Sequence, residues 1–222
     1  MSSEIESINL PLLIKTANNR NNHGENRDCF VPNPMSNNPT HLEMFKFLGH
    51  MLGYGIRTQC PIPLHFPPIF WKIILEEPLD NKDLKGLDTY SWQIVEDLKK
   101  QAEKLTNEEF SAQIEEVFVT RLSDGSEVEL KKGGKLITVT KDNLDEYVKL
   151  LEETRFNESI NQMKPIREGI NFVVPIDSLK LFTWEEVESR ACGDKTVDIE
   201  KFKKITQYSV SKTLILTVIV LH

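Results

Sequence analysis

The sequence is short of most of what would announce a chemistry. Of its 222 residues only three are cysteine, Cys29, Cys60 and Cys192, far apart and odd in number. A disulfide framework needs paired thiols, so these read as free or buried thiols of a reducing compartment. Metal ligands are as sparse. Cys60 and His65 lie close in sequence, but the other cysteines and histidines form no second pair, so no metal is expected. Basic charge is in deficit: 27 Lys and Arg stand against 34 Asp and Glu, a net charge of −7. A general nucleic-acid binder needs a basic footprint to displace counterions, and none is visible, so no nucleic-acid partner is expected. No apolar run reaches the roughly 18 residues of a membrane span, and the N-terminal stretch carries no basic-then-apolar leader. The expectation is a cytoplasmic chain with no membrane partner.

Nucleotide fingerprints are missing too. Gly133-Gly134-Lys135-Leu136 lacks the upstream glycine and the Ser/Thr of a phosphate loop and reads as a turn between strands. Gly49, Gly53 and Gly55 miss the dinucleotide spacing and fall inside a helical pattern, where glycine permits close helix packing. For nucleophilic work, Cys192 falls at the end of its helix, where the dipole opposes a thiolate, and Cys29 follows Asp28, which opposes it as well. The acidic pairs, such as Glu115-Glu116 and Glu152-Glu153, sit on helix ends or solvated faces. No catalytic residue and no cofactor is expected.

What is present suits a globular α+β fold. Apolar residues make up 39% and charged residues 27%, and a chain of this size hides roughly 70% of its unfolded surface. Residues 1–40 read mostly as connecting backbone, Asn-rich and then held extended at Val31-Pro32-Asn33-Pro34. Thr40 and Glu43 form a capping box for a helix carrying Met44, Phe45, Leu48, Met51, Leu52 and Ile56. Pro67-Pro68 open a second helix. Asp88 caps a third, whose apolar stripe is Trp92, Val95, Leu98, Ala102 and Leu105, and Thr106 starts a short fourth.

The period then changes from about 3.6 to 2. Val117–Leu122 and Glu127–Leu130 read as a hairpin around Asp124-Gly125, and Leu136–Val139 as a third short strand. Asp142 can cap a long helix running toward Met163 until Pro165 kinks or ends it. Short helices follow over Pro175–Phe182, after Thr183-Trp184-Glu185-Glu186, and over Asp198–Tyr208. The run Leu214–Leu221 is uncharged and β-rich, and reads either as a buried strand or as a segment foreign to the domain, exposed and association-prone.

In this order the segments resemble the amino-terminal lobe of HECT-type ubiquitin-protein ligases. The carrying residues are Leu10-Pro11-Leu12, Arg27-Asp28, Val31-Pro32-Asn33-Pro34, Phe45-Lys46-Phe47-Leu48-Gly49 with Gly53, Ile56-Arg57 and Phe70-Trp71-Lys72. Val128-Glu129-Leu130, Gly133-Gly134, Val139-Thr140, Asn143 and Glu146-Tyr147 continue the match, and Arg167-Glu168-Gly169, Val174-Pro175, Phe182–Glu188 and Cys192-Gly193 complete it.

The resemblance implies a mostly helical lobe, here 1–87 and 149–208, with a small inserted subdomain of helices and three short strands over 88–148. Residues 209–222 form an atypical apolar tail. In the family the insert docks a ubiquitin-conjugating enzyme, which brings ubiquitin, and a carboxy-terminal lobe carries the cysteine that passes it to a substrate lysine. The family's docking groove maps onto Trp92, Val95, Leu98, Val117, Val119 and Tyr147. The chain is expected to stop short of the catalytic lobe. It then either serves as the docking half of a ubiquitin ligase or holds a conjugating enzyme without catalysis; a small-molecule enzyme on a helical fold has no motif behind it.

Overall fold

Local signals place most element boundaries. The computed structural model describes residues 2–7, 10–194, 203, 207–210 and 216–219. It opens with α1 (Ser2–Ile5), β1 (Leu13–Lys15), α2 (Ala17–Asn21) and β2 (Phe30–Pro32). Residues 1–40 are thus more regular than their composition suggested. The two strands pair antiparallel with Ile14 opposite Val31. The Thr16 hydroxyl caps α2 by accepting from the Asn19 amide, and Asn22 closes it in the left-handed conformation that Asn tolerates.

The long helix α3 (Pro39–Thr58) starts earlier than the Thr40 box implied. Asn38 is the cap, accepting from the His41 amide, and Pro39 fills the first turn, where its missing N–H breaks no helical bond. Next come α4 (Pro68–Leu75) behind Pro67 and α5 (Asn81–Lys85). The five residues of α5 are too few to show a period, but Asp80 and Asp83 cap it reciprocally. In α6 (Thr89–Lys104) the Asp88 carboxylate accepts from the Ser91 amide, and Thr106 and Glu109 form a capping box for α7 (Asn107–Gln113).

The hairpin of β3 (Val119–Arg121) and β4 (Glu127–Glu129) places Thr120 opposite Val128. The third strand expected over Leu136–Val139 shrinks to a single bridge between Val117 and Thr138. Gly133 turns the chain with φ 75°, and Gly134–Leu136 wind into one 3₁₀ turn. This turn crosses over Phe118 instead of running beside it: a Cβ on Gly134 would stand 2.3 Å from the Phe118 carbonyl oxygen.

A second correction concerns the long helix after Asp142. Asp142 lies within a 3₁₀ turn, and the Asn143 side chain accepts from the Thr140 amide ahead of α8 (Leu144–Asn157). The chain breaks at Glu158–Ser159 and resumes as α9 (Ile160–Val173), which carries Pro165 inside it. The break falls there because both side chains are bound elsewhere. Glu158 accepts from the Ser123 amide at 3.2 Å, and the Ser159 hydroxyl donates to the Pro32 carbonyl at 3.0 Å.

The elements α10 (Ile176–Leu179) and α11 (Trp184–Cys192) follow, the latter capped by Thr183 and Glu186 as expected. Then β5 (Gln207–Val210) pairs antiparallel with β6 (Leu216–Ile219), Tyr208 opposite Val218. Most of the helix expected over Asp198–Tyr208 lies outside the described residues, but Gln207 and Tyr208 are strand. Within the apolar run, Leu216–Ile219 is paired strand, and its other residues lie outside the described ones.

Two large apolar clusters organise the described residues, with a small third of Val31, Ile69 and Leu87. The larger joins α3, α4, α9, α10 and α11 around Phe45, Leu52, Trp71, Ile74, Ile166 and Ile170. The smaller draws on residues from Leu84 to Leu151, with Phe110, Phe118 and Val139 at its centre. Both lie in one mostly helical α+β architecture.

Candidate functional site

The smaller cluster carries a groove on its outer face. One wall is α6, the second is the segment Glu116–Arg121 ending in β3, and the third is α8. The space between them is about 360 Å³. Tyr90 and Ile94 come from α6, Val117 and Val119 from the second wall, and Tyr147 and Leu151 from α8. A neighbouring depression shares Ile94, Glu116 and Val117 and continues along α6 past Asp97 and Gln101.

The six residues singled out from the sequence divide between floor and walls. Val95 is 0% exposed, Leu98 and Tyr147 are 3% exposed, and Trp92 is 6% exposed. All four belong to the packed cluster. Trp92 and Val95 pack into the cluster beneath the groove, while Leu98, though largely covered, lines the neighbouring depression. Tyr147 is buried as well, yet it lies along the groove. Val117 and Val119 are half-buried and line the groove directly.

The reason lies in helix geometry. The apolar stripe Trp92, Val95, Leu98 faces inward, so the outward face belongs to the residues beside it. Tyr90, Ile94, Asp97 and Gln101 recur at steps of four, three and four, a second stripe that sequence reasoning missed. Tyr90 is 70% exposed. The signal was an aromatic and a branched aliphatic side chain on the polar face of an otherwise amphipathic helix.

The floor is rigid. Phe118 meets Tyr147 edge-on with ring centroids 5.4 Å apart, and the Lys131 ammonium sits 3.9 Å from the Phe118 centroid. Burial, and then the nearby Glu116 carboxylate, push the Tyr147 phenol up to about 12, so it stays neutral. Glu115 and Glu116 are exposed on one rim and Arg121 on the other. This arrangement can hold an apolar side chain of a partner between charged rims.

Elsewhere, an apolar groove of about 380 Å³ runs between the N-terminal segment and α3, lined by Ile5, Leu10, Met44, Phe47 and Met51 among others. Of the three thiols, Cys29 is buried, Cys60 exposed and Cys192 intermediate. Among the described residues no three His, Cys, Asp or Glu are placed to hold a metal ion. No helix among them is long and apolar enough to cross a membrane.

A family model described as HECT-domain (ubiquitin-transferase) matches residues 1–219. The chain belongs to the HECT-domain family. Its relatives agree. The E3 ubiquitin-protein ligase HERC2 of Mus musculus is 34% identical over 206 residues, covering 92% of this chain and 4% of that protein. The E3 ubiquitin-protein ligase Nedd-4 of Drosophila melanogaster is 31% identical over 172 residues, 77% of this chain and 17% of that protein. The E3 ubiquitin-protein ligase TOM1 of Saccharomyces cerevisiae is 32% identical over 187 residues, 82% of this chain and 6% of that protein. The chain spans less than a fifth of the length of these relatives. HECT membership and the mostly helical α+β architecture agree with the resemblance read from the sequence.

Proposed function

We propose that this chain is the conjugating-enzyme docking part of a HECT-type ubiquitin-protein ligase, and that the groove over the smaller cluster is the docking surface. The unit over 88–148 supplies the floor and most of the walls. Tyr90, Ile94, Val117 and Val119 make the contacts, with Tyr147 beneath them and Trp92, Val95 and Leu98 holding the walls apart. In such ligases ubiquitin moves from the conjugating enzyme to a ligase cysteine by transthiolation, and a substrate lysine then attacks that thioester. The role of this chain is to position the charged conjugating enzyme for the first step.

The observation that carries this reading is the exposure pattern of the groove. Open or half-open apolar side chains of α6 and of the segment Val117–Val119 converge over buried Tyr147 and Leu151 of α8, the arrangement of a small interface with an aromatic anchor. Val117→Arg places a charge at the shared edge of both depressions without entering the core. In a binding titration against purified ubiquitin-conjugating enzymes it should weaken the wild-type interaction by at least tenfold, about 1.4 kcal/mol. Unchanged affinity of a folded Val117→Arg chain contradicts the assignment.

A further inference from the structure

Arg155 lies where the three walls of the groove meet at their lower ends. It is 4% exposed. Its Nη1 donates to the Arg121 carbonyl at 2.7 Å and to Asp88 Oδ2 at 3.3 Å. Nε stands 3.2 Å from Glu158 Oε2, an ion pair too skewed to be a hydrogen bond. Asp88 is the cap of α6, and Ser91 holds it by its amide at 3.0 Å and its hydroxyl at 2.7 Å. Arg121 ends β3, and Arg155 itself belongs to α8. One guanidinium therefore joins the helix of Tyr90 and Ile94, the strand of Val119 and the helix of Tyr147.

The same seam fastens the hairpin to the larger body. Glu158 accepts from the Ser123 amide and hydroxyl, and Arg20 of α2 donates to the Ser123 carbonyl at 2.6 Å and to the Lys15 carbonyl at 2.7 Å. The carboxylates facing Arg155 are Asp88, whose side chain is 14% exposed, and Glu158, at 5%. A buried ion network contributes little net stability, because desolvation offsets the attraction. What it does impose is geometry, since Nη1 and Nε are fixed in one rigid plane facing Arg121, Asp88 and Glu158, whereas a lysine ammonium is a single point charge on a flexible stem.

We propose that Arg155 is a positioning residue for the docking groove. Its buried fork sets the distance between α6 and the hairpin, so the groove is held open before the conjugating enzyme arrives. The inference rests on the reading of the groove given above. Losing the fork lets α6 and β3 shift independently and lowers the fraction of molecules competent to bind. Apparent affinity falls by that fraction, and the loss falls on the association rate.

The test uses the full chain and a purified ubiquitin-conjugating enzyme that binds it, with association and dissociation rates measured well below every melting temperature. Arg155→Lys keeps the charge and loses the fork. Asp88→Asn keeps a good helix cap and weakens the pair, and decides the matter should Arg155→Lys not fold. The control is a substitution of Ile170, 0% exposed in the other cluster, chosen to match the melting temperature of Arg155→Lys. Val117→Arg reports on the groove itself. The expected result is a loss of affinity of about tenfold in Arg155→Lys or Asp88→Asn, carried by slower association, with the Ile170 control unchanged. Wild-type rates in both seam variants, with Val117→Arg still weakened, overturn the positioning role and leave the groove standing. Wild-type binding by Val117→Arg overturns the groove and the proposal together.

Discussion

Gly49 on α3 and Gly169 on α9 face each other at backbone distance: a Cβ on Gly49 would lie 3.0 Å from the Gly169 Cα and 2.1 Å from the Ile166 carbonyl oxygen. Neither obstacle is a movable side chain. The reciprocal substitution fares no better, since a Cβ on Gly169 would stand 2.1 Å from the Lys46 carbonyl oxygen. Alanine gains about 1 kcal/mol of intrinsic helix propensity over glycine, but forcing two packed helices apart costs more. Gly49→Ala should lower unfolding free energy by about 2 kcal/mol in a urea titration. An increase in stability would show that α3 and α9 are not in contact here.

Trp92 and Val117 should part company under substitution. Trp92→Ala empties space in the smaller cluster and should destabilise by about 3–5 kcal/mol. Val117→Ala removes two half-exposed methyl groups and should change stability by less than about 1 kcal/mol. Thermal unfolding of the two variants checks this. Equal and small losses in both would place Trp92 at the surface.

The Tyr147 phenol gives a pH signature. Its value is raised to about 12 by burial and then by Glu116, against an ordinary 10.0. Below pH 10 both folded and unfolded states hold the proton, and the contribution to stability is whole. Between pH 10 and about 12 the unfolded chain releases the proton while the folded chain keeps it, so stability falls as pH rises. Ultraviolet titration of the four tyrosines should show one late phase near pH 12 in the folded protein. Tyr147→Phe should remove that phase; its persistence would assign it to another tyrosine.

The cysteines should differ sharply toward an alkylating reagent. Cys60 is exposed just beyond α3, whereas Cys29 is 0% exposed, with its sulfur 3.7 Å from Asp28 Oδ1. Under native conditions Cys60 should be modified first and Cys29 only on unfolding, read by mass spectrometry. None of the three stands beside a base in the groove, so incubation with activating enzyme, charged conjugating enzyme and ubiquitin should give no reductant-sensitive adduct. An adduct lost on a Cys→Ser change would make this chain a thiol acceptor and remove the docking role as its sole part.

The sequence made helix starts legible where the capping side chain bonds an amide within the next three residues. Asp88, Thr106 and Thr183 are such cases, and Gly49 and Gly53, four apart on one face of α3, were readable as packing sites. Local reading failed where a distant contact decided the matter. Ser123 and Pro32 bind Glu158 and Ser159 and break the helix before Pro165, and Phe118 lies so close over Gly134 that a 3₁₀ turn there leaves the expected third strand only its bridge to Val117. The candidate groove lies on the elements singled out from the sequence, and its open α6 side chains stand one helix face away from the apolar stripe. An apolar stripe on an amphipathic helix marks the core first, and contact residues stand beside it, as Ile94 stands beside Val95.

The central claim is that a conjugating enzyme seats in the groove over the smaller cluster. Mapping backbone amide shifts of the isotopically labelled chain during titration with a purified ubiquitin-conjugating enzyme tests it most directly. The largest changes should fall on Tyr90, Ile94, Val117, Val119 and Arg121, fading across α6 toward its buried face. Changes confined to the other apolar groove, at Met44, Phe47 and Met51, with the residues of α6 and β3 silent, would contradict it.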